Sequence, residues 1–207
     1  MTTSVSELMI ETGQKARAAS RRMAAASTAD KNNALLRLAE LLEAKKEAIF
    51  AANERDLAKA KKNGLKESFV DRLRVTEKVL RLMAEGARQT AALPDPVGEI
   101  SEMRRRPSGI QVGRMRVPLG VLGIIYESRP NVTVDAACLA VKSGNACILR
   151  GGSEAFETNR ILGELVQQAL TETGLPTEAV QIAPTTDRDF VGEMIRANKY
   201  VDVIIPR

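Results

Sequence analysis

The segment that decides the fold reads VPLGVLGIIY, residues 117–126. A run that is apolar almost throughout is expected of a strand buried on both faces of a sheet. After it, short apolar segments alternate with longer segments of helical composition. The predicted strands are 117–126, 146–149, 179–183 and 201–205, and the predicted helices are 132–142, 153–173 and 187–198. This order predicts an α/β fold with a parallel sheet and right-handed crossovers.

The residues before this core are predicted to be almost entirely helical. Apolar residues recur at helical spacing through 5–62, with Asp30 as the N-cap of the leucine-rich part. Asn63-Gly64 is a helix stop signal. Two more helices are predicted at 67–74 and 76–93, the second with Thr76 as its N-cap.

A polar and basic segment, 99–116, separates the helices from the core. Ser108-Gly109 predicts a hairpin turn between two short strands. The run Arg104–Arg106 is either a phosphate clamp or charge that blunts an exposed strand edge, and the second interpretation is favoured. The chain therefore divides into a helical part (1–98), a β arm (99–116) and an α/β core (117–207).

Composition limits the classes of function. The 207 residues are 44% hydrophobic, which is enough for a large core, but aromatic residues make up only 3% and there is no Trp. The net charge of +5 leaves polynucleotide binding as a hypothesis. It is disfavoured because basic and acidic residues are interleaved and aromatic faces for base stacking are few.

The residues for several kinds of site are missing or badly placed. The sequence has no His, which removes the commonest general base and zinc ligand, and no metal site is expected. Cys138 and Cys147 lie in apolar segments and are interpreted as core thiols in a reducing compartment. The N-terminus has no signal-peptide pattern and no segment has membrane-spanning length, so we expect a cytoplasmic protein without membrane contact.

Two motifs follow predicted strands and carry candidate chemistry. The first is Arg150-Gly151-Gly152-Ser153-Glu154, in which glycines allow close backbone approach and a helix N-terminus favours a phosphate or ribose. A tight turn with a Ser cap explains these residues equally well. No G-x-G-x-x-G fingerprint follows the first strand, so a conventional dinucleotide site is unsupported.

The second motif, Arg129-Pro130-Asn131, begins the helix after the first strand. The Asn131 amide could donate to a developing oxyanion, although from the residues alone a capping role is favoured. Arg129 offers a fixed charge for a carboxylate or an acyl phosphate.

Long contiguous motifs give these residues a more specific meaning. The segment RVPLGVLGIIYESRPNVTVDAACLAVKSGNACILRGGSEAFETN, residues 116–159, resembles the signature of the gamma-glutamyl phosphate reductase (glutamate-5-semialdehyde dehydrogenase) family, a branch of the aldehyde dehydrogenase superfamily. The resemblance extends over the whole chain, through NGL (63–65), LPDPVGEI (93–100) and KYVDVIIPR (199–207).

The resemblance implies a reaction and a cofactor. Members of this family reduce L-glutamyl 5-phosphate with NADPH to L-glutamate 5-semialdehyde and phosphate, in the second step of proline biosynthesis. The core would then be a Rossmann-like NADP-binding fold of the aldehyde dehydrogenase type. In that type, the residues around Arg150, Gly151, Gly152, Ser153 and Glu154 bind the adenosine ribose or its 2′-phosphate, and Pro184 and Thr185 lie beside the adenine.

For the substrate, the resemblance makes Asn131 part of the oxyanion hole and leaves Arg129 as a substrate-binding candidate. It also implies a homo-oligomer formed through the β arm.

The chain also departs from the family in length. Family members are roughly twice as long, and their nucleophilic Cys and a glycine-rich turn lie in later segments. We therefore expect a chain without its catalytic domain, cut off after the fourth core strand and inactive alone. The alternatives are a stand-alone nucleotide-binding protein and a basic nucleic-acid-binding protein.

Overall fold

The structure is a computed structural model and describes residues 4–207. Its helices are α1 (Val5–Ala24), α2 (Thr28–Ala44), α3 (Lys46–Lys62), α4 (Glu67–Leu73), α5 (Glu77–Ala92), α6 (Pro130–Lys142), α7 (Phe156–Glu172) and α8 (Asp189–Arg196). Its strands are β1 (Ile100–Arg105), β2 (Gln111–Met115), β3 (Val121–Ile125), β4 (Ala146–Arg150), β5 (Val180–Ile182) and β6 (Val203–Pro206). Short 3₁₀ turns at Ser153–Ala155 and Thr177–Ala179 precede α7 and β5.

Strands β3 to β6 form one parallel sheet in the order β5-β4-β3-β6. The predicted α/β fold with a parallel sheet is therefore confirmed. The chain moves from β3 outward to β4 and β5, then returns to add β6 on the other side of β3. In sheets of this kind, ligands bind beyond the carboxyl ends of the strands, at the point where the strand order reverses. That point lies between β3 and β6.

Helices cover both faces of the sheet, as the apolar strand sequences predict. Leu122 and Ile124 pack with α2, α5, α6 and α7 in the larger core. Their neighbour Val121 faces the other way and packs with Met9 of α1 and Phe190 of α8. Side chains that alternate between two buried cores explain why no polar residue interrupts β3.

Strand β3 begins at Val121, not at the predicted Val117. Gly120 has a φ of +117°, which ends extended pairing before the strand, and Val117 and Leu119 remain exposed. Gly120 also faces Asp202, whose carboxylate accepts from the Val121 amide at 2.7 Å. A side chain at position 120 would collide with that carboxylate.

The same Asp202 joins the first helix to the last strand segment. Arg17 of α1 donates to its two carboxylate oxygens at 2.8 and 2.9 Å. The Arg17 interaction lowers the pKa of Asp202, as does the Val121 amide. The bidentate pair therefore fixes α1 against the start of β3 and the approach to β6.

The predicted helical segment 5–62 is three helices, α1, α2 and α3. The prediction of Asp30 as an N-cap is wrong: Ser27 is the N-cap and accepts from the Asp30 amide at 3.1 Å. Asp30 lies in the first turn, where a negative charge favours the helix dipole equally well, so sequence could not distinguish the two positions. The stop at Gly64, with a φ of +69°, and the N-cap at Thr76 are confirmed.

Two lysines are buried where α2, the end of α5 and α6 meet. Lys31 is 1% exposed and pairs with Asp95 at 2.6 Å. Lys142 donates to Asn32 at 2.6 Å and to the Ala91 carbonyl at 2.8 Å. These contacts satisfy charges that would otherwise be unfavourable in the core.

Strands β1 and β2 form the predicted arm, an antiparallel hairpin with Gly109 at a φ of +88° in its turn. An irregularity between Ser101 and Arg104 places Glu102 at a φ of +54°. Every residue of both strands is exposed. Across residues 4–207, no helix is long and apolar enough to cross a bilayer.

Candidate functional site

The loops after β3 and β4 meet at the carboxyl edge of the sheet. Ser128 of the first loop donates to Glu154 of the second at 2.6 Å. The Ser128 hydrogen bond lowers the pKa of Glu154, which favours the carboxylate form. The two loops therefore hold a negative charge at the mouth of β4.

Glycines are required where these loops touch. A Cβ at Gly152 would collide with the Ser128 hydroxyl and lie 2.8 Å from the Glu154 carboxylate. A Cβ at Gly151 would collide with the Asn159 amide and lie 3.0 Å from the Tyr126 ring. The backbone at this Gly-Gly pair is thus in close contact with side chains of this chain, and the predicted approach of a ligand stays a prediction.

A buried chain of hydrogen bonds supports the same loops from below. The Tyr126 and Thr133 hydroxyls are 2.7 Å apart, and Thr133 donates to Asn159 at 2.8 Å. Burial raises the pKa of Tyr126 above its usual range, so the phenol stays neutral. These three side chains connect the end of β3, the first turn of α6 and the first turn of α7.

Arg150 closes the end of β4 and faces inward. Its guanidinium donates to the carbonyl of Gly151, and to those of Thr186 and Asp187 at 2.9 and 3.4 Å. The side chain is 8% exposed, and within the described residues its Nε has no hydrogen-bond partner. Burial lowers the pKa of the Arg150 guanidinium, while the nearby Glu154 carboxylate opposes this shift. Arg150 therefore organises the loops after β4 and β5 and keeps one N–H unused.

The start of α7 is capped differently from the prediction. Ser153 was expected to cap this helix, but it is exposed in a 3₁₀ turn, and α7 begins at Phe156. Asp56 of α3 takes the capping role. Its carboxylate accepts from the Glu157 amide at 3.2 Å, and from the Thr158 amide and hydroxyl at 2.8 and 2.7 Å.

This cap has a consequence for anion binding. The amides of Glu157 and Thr158, at the N-terminus of α7, are already bound to a carboxylate and are not free for a phosphate. Burial raises the pKa of Asp56, and the hydrogen bonds from Thr158 and Glu157 oppose that shift. Asn53, one turn before Asp56, donates to Thr158 at 3.2 Å and to the Leu73 carbonyl at 2.8 Å. Helix α3 thus positions the turn that contains Gly152.

The loop after β5 contains the other predicted cofactor residues. Pro184 is exposed, and Thr185 accepts from the Asp187 amide at 3.1 Å. Asp187 was predicted to be the N-cap of the next helix, but α8 begins two residues later, at Asp189. Asp187 still accepts from the Asp189 amide at 2.9 Å, so its side chain turns the chain into the helix without occupying the cap position.

Two larger clefts include residues that follow β3 in the chain. The first, which we call the α4 cleft, has a volume of about 530 Å³. Its walls are Gly64–Lys66, Phe69, Arg72 and Leu73 on one side, and Glu127, Ser128, Gly152 and Glu154 on the other. Arg72 lies over the Phe69 ring at 5.4 Å and pairs with Glu127 at 3.5 Å.

The second, the α5 cleft, has a volume of about 420 Å³ and lies between α5 and α6. Its lining residues are Gly86, Gln89, Thr90, Leu93, Asp135, Cys138, Leu139 and Arg207. The Asn131 amide donates to Asp135 at 3.3 Å, one helical turn along α6. Burial raises the pKa of Asp135, and the Asn131 hydrogen bond and the Arg207 charge oppose this shift.

Arg129 and the two cysteines have simpler surroundings. Arg129 is exposed at the start of α6, and within residues 4–207 its guanidinium forms no ion pair. Cys138 and Cys147 are free, and burial raises the pKa of each thiol to about 12. Both are therefore neutral thiols of the core at physiological pH, as the apolar sequence around them predicts.

The predicted site residues do not form a single cluster. Arg150, Gly151, Gly152, Ser153 and Thr185 surround one narrow crevice between the loops after β4 and β5. Glu154 points to the α4 cleft, and Asn131 lies beside Asp135 of the α5 cleft.

Sequence reasoning did not identify several residues that connect these places. They are Asp56, Tyr126, Ser128, Thr133, Asp135 and Asn159. The signal that could have found some of them is a polar residue on an otherwise apolar helix face, as at Thr133 and Asn159.

Comparison with known proteins identifies relatives of this arrangement. A model of the aldehyde dehydrogenase family matches residues 4–205. A gamma-glutamyl phosphate reductase from Thermotoga maritima is 42% identical in sequence, and its structure matches with a TM-score of 0.93. The match covers 96% of this chain and 48% of the reductase chain. The gamma-glutamyl phosphate reductase from Saccharomyces cerevisiae is 33% identical, with a TM-score of 0.86. This match covers 100% of the present chain and 52% of the yeast reductase chain.

A more distant structure shares only the fold. It is a NAD-dependent benzaldehyde dehydrogenase from Corynebacterium glutamicum, 21% identical, with a TM-score of 0.74 over 99% of this chain and 40% of its own. The present chain spans about half the length of the two reductases that it matches.

Proposed function

The chain belongs to the aldehyde dehydrogenase family, and from that premise we propose that it is the cofactor-binding part of a gamma-glutamyl phosphate reductase. The whole enzyme reduces L-glutamyl 5-phosphate to L-glutamate 5-semialdehyde and phosphate, as a step of proline biosynthesis. The observation that carries the proposal is the identity with the Thermotoga maritima reductase, which extends over nearly the entire chain. A similarity so long and so close includes the loops at the sheet edge as well as the core.

The proposed cofactor is NADPH, which would supply a hydride to the substrate. The residues present fit a dinucleotide phosphate, because within the described residues Arg150, at the end of β4, retains a buried N–H without a partner. Arg150 would favour a 2′-phosphate through its charge. Glu154, whose pKa is lowered by Ser128, would receive a ribose hydroxyl. Pro184 and Thr185, in the loop after β5, would border the adenine.

Asn131 is proposed as an oxyanion donor. Its Nδ2 group carries two hydrogens, of which one is directed to Asp135 and the other remains for an oxygen that gains charge in the transition state. Arg129, exposed two residues earlier at the N-cap of α6, would attract the acyl phosphate. These side chains bind and orient the substrate but contribute no nucleophile.

The nucleophilic thiol of the reductase is not proposed to be Cys138 or Cys147. Thiols with a pKa of about 12 are protonated at neutral pH, and the thiolate is the reactive form. We therefore propose that these 207 residues bind the cofactor without catalysing its oxidation. The free state of both cysteines supports the proposal of a cytoplasmic location.

The β arm is proposed to bind a second copy of the enzyme. Its exposed apolar side chains are Ile100, Met103, Ile110, Val112 and Met115, each 43–61% exposed. Two strands with every residue exposed bury too little surface to be stable without a neighbour. Polynucleotide binding has less support, because most of the helix surface arginines pair with nearby carboxylates, for example Arg88 with Glu43 at 2.7 Å.

The test measures the affinity of this chain for NADPH and, as the comparison, for NADH. Binding is detected by the blue shift of the nicotinamide fluorescence. We expect NADPH to bind about tenfold more tightly, since an added phosphate–arginine contact contributes about 1–2 kcal/mol. Arg150→Lys should reduce that preference, because a point charge replaces the fork that holds the loops. Arg105→Lys, on the exposed arm, is the matched control. Equal affinities for NADPH and NADH would remove Arg150 and the 2′-phosphate from the proposal.

A further inference from the structure

We propose that the α5 cleft binds the α-ammonium group of an amino-acid substrate, and that Asp135 is the residue that recognises it. The inference rests on the proposed function, because it assigns the distal end of the substrate whose reacting end meets Asn131. It concerns a specificity-determining residue, since Asp135 would touch the substrate without taking part in bond making or breaking.

The first argument is the position of the Asp135 carboxylate. Its Oδ2 accepts from Asn131 at 3.3 Å, which fixes the side chain. Its Oδ1 faces α5 across the cleft: a Cβ placed on Gly86 would meet Oδ1 at 3.9 Å and nothing closer. One carboxylate oxygen is therefore held and the other points into an open volume of about 420 Å³.

The second argument is spacing along α6. Asn131 and Asp135 are separated by four residues and so lie on one face of the helix, about one turn of 5.4 Å apart. In a glutamyl substrate, the reacting acyl carbon and the α-amino group lie at opposite ends of a three-carbon chain. A substrate whose acyl oxygen meets the Asn131 amide can therefore present its ammonium to Asp135 on the same helix face.

The third argument is charge. Among the side chains that line the cleft, Asp135 carries the one carboxylate and Arg207 the one cationic group, and the others are neutral. Opposite charges in one cleft suit a zwitterion, with its ammonium at Asp135 and its α-carboxylate at Arg207. Asn131 is the single hydrogen-bond donor to Asp135 within residues 4–207.

A role in packing alone does not explain this carboxylate. Asp135 is partly buried between two helices, and burial raises its pKa because the ionised form is poorly solvated there. An apolar residue would fill the position more favourably. The ammonium of a bound amino acid would place a second positive charge, beside that of Arg207, against this carboxylate.

The experiment follows amide resonances of the isotopically labelled 207-residue protein during titration with L-glutamate and with glutarate. The two probes differ only in the ammonium group. We expect L-glutamate to bind at least tenfold more tightly and to shift resonances of α6 and of α5 around Gly86. Asp135→Asn should abolish this difference, since the variant keeps the size of the side chain and removes the charge that attracts the ammonium.

Asp71→Asn, which alters an exposed carboxylate on α4, is the control and should change neither affinity. Equal affinities of the unaltered protein for the two probes, or an absence of binding, would overturn the inference without any variant. NADPH binding measured on the same samples separates the two proposals. A protein that binds NADPH but does not prefer L-glutamate contradicts only the role of Asp135. A protein that prefers L-glutamate but does not bind NADPH contradicts only the proposed cofactor site.

Discussion

Asp56→Ala tests the claim that α3 builds the turn at the end of β4. The substitution removes a carboxylate that is 2% exposed and accepts three hydrogen bonds from Glu157 and Thr158. Loss of a helix cap costs about 0.5–2 kcal/mol. The Thr158 amide is fully buried, and a buried donor left without an acceptor costs about 1–3 kcal/mol more.

We therefore expect the free energy of unfolding to fall by about 2–4 kcal/mol, a large part of the 5–15 kcal/mol typical of a folded domain. The assay is urea unfolding followed by far-UV circular dichroism at pH 7. The slope of the free energy against urea should stay unchanged, because the fold is retained. Asp56→Asn should be less affected, since its carbonyl oxygen can still accept from one amide.

The control is Asp71→Ala, which removes a 64% exposed carboxylate that lies 3.9 Å from Arg74. A change within about 0.5 kcal/mol is expected there. If Asp56→Ala were no more destabilising than this control, the cap would not hold the start of α7. The account of how the Gly152 turn is positioned would then be refuted.

Three further perturbations have defined outcomes. Arg17→Ala should lower the free energy of unfolding in urea by about 1 kcal/mol at pH 7. Arg17 lowers the pKa of Asp202, so the stabilisation by this ion pair is present above the ordinary pKa range of Asp and is lost as pH falls through the lowered pKa. If Arg17→Ala remained less stable than the unaltered protein in strong acid, this account of the ion pair would be contradicted. Gly152→Ala should weaken NADPH binding in a fluorescence titration by about tenfold, because a Cβ there displaces the Ser128 hydroxyl; unchanged affinity would show that the loop contact is dispensable. The preference for L-glutamate over glutarate should decline as pH is lowered through the raised pKa of Asp135, since protonation removes the charge that attracts the ammonium. Calorimetric titration at several pH values measures this preference. A preference that stayed constant at low pH would contradict the role of Asp135.

The fold was predictable because buried parallel strands have a strong signature. Residues of β3 and β4 face a core on each side, so the sequence of β3 and that of β4 up to Leu149 are apolar without interruption. Helix starts were less predictable, because several neighbouring residues can cap. Ser27 and Asp30 both suit a first turn, and only the three-dimensional path of the chain selects one.

The tight turn after β4 was predictable, because its backbone requires glycine at two positions. The glycines at 151 and 152 mark a close approach, and the structure shows what each one approaches. The interactions of Arg150 were not predictable, because its acceptors at Thr186 and Asp187 come from a loop after a different strand. Asp56 accepts from the backbone amide of Glu157, which lies 101 residues further along the chain, and no local pattern connects the two residues.

The buried lysines illustrate the same limit. Lys31 occupies a helix position that sequence would assign to solvent, and its carboxylate partner Asp95 belongs to a loop 64 residues further along the chain. A charged residue in a core is stable only with a correctly placed opposite charge, which is a property of the tertiary structure.

The contact between Arg17 and Asp202 has a consequence for how the protein is made. Helix α1 is synthesised before the sheet that it covers, yet it packs against β4 and α8 and pairs with a residue 185 positions later. During translation, α1 has no packing partner until the sheet that it covers has been synthesised. The apolar side chains of Met9 and Ala16 are exposed to solvent during that time. Contacts between residues so far apart in sequence slow folding, and they prolong the time for which aggregation-prone apolar surface is exposed. The nascent chain should therefore bind chaperones through α1 until β6 is complete.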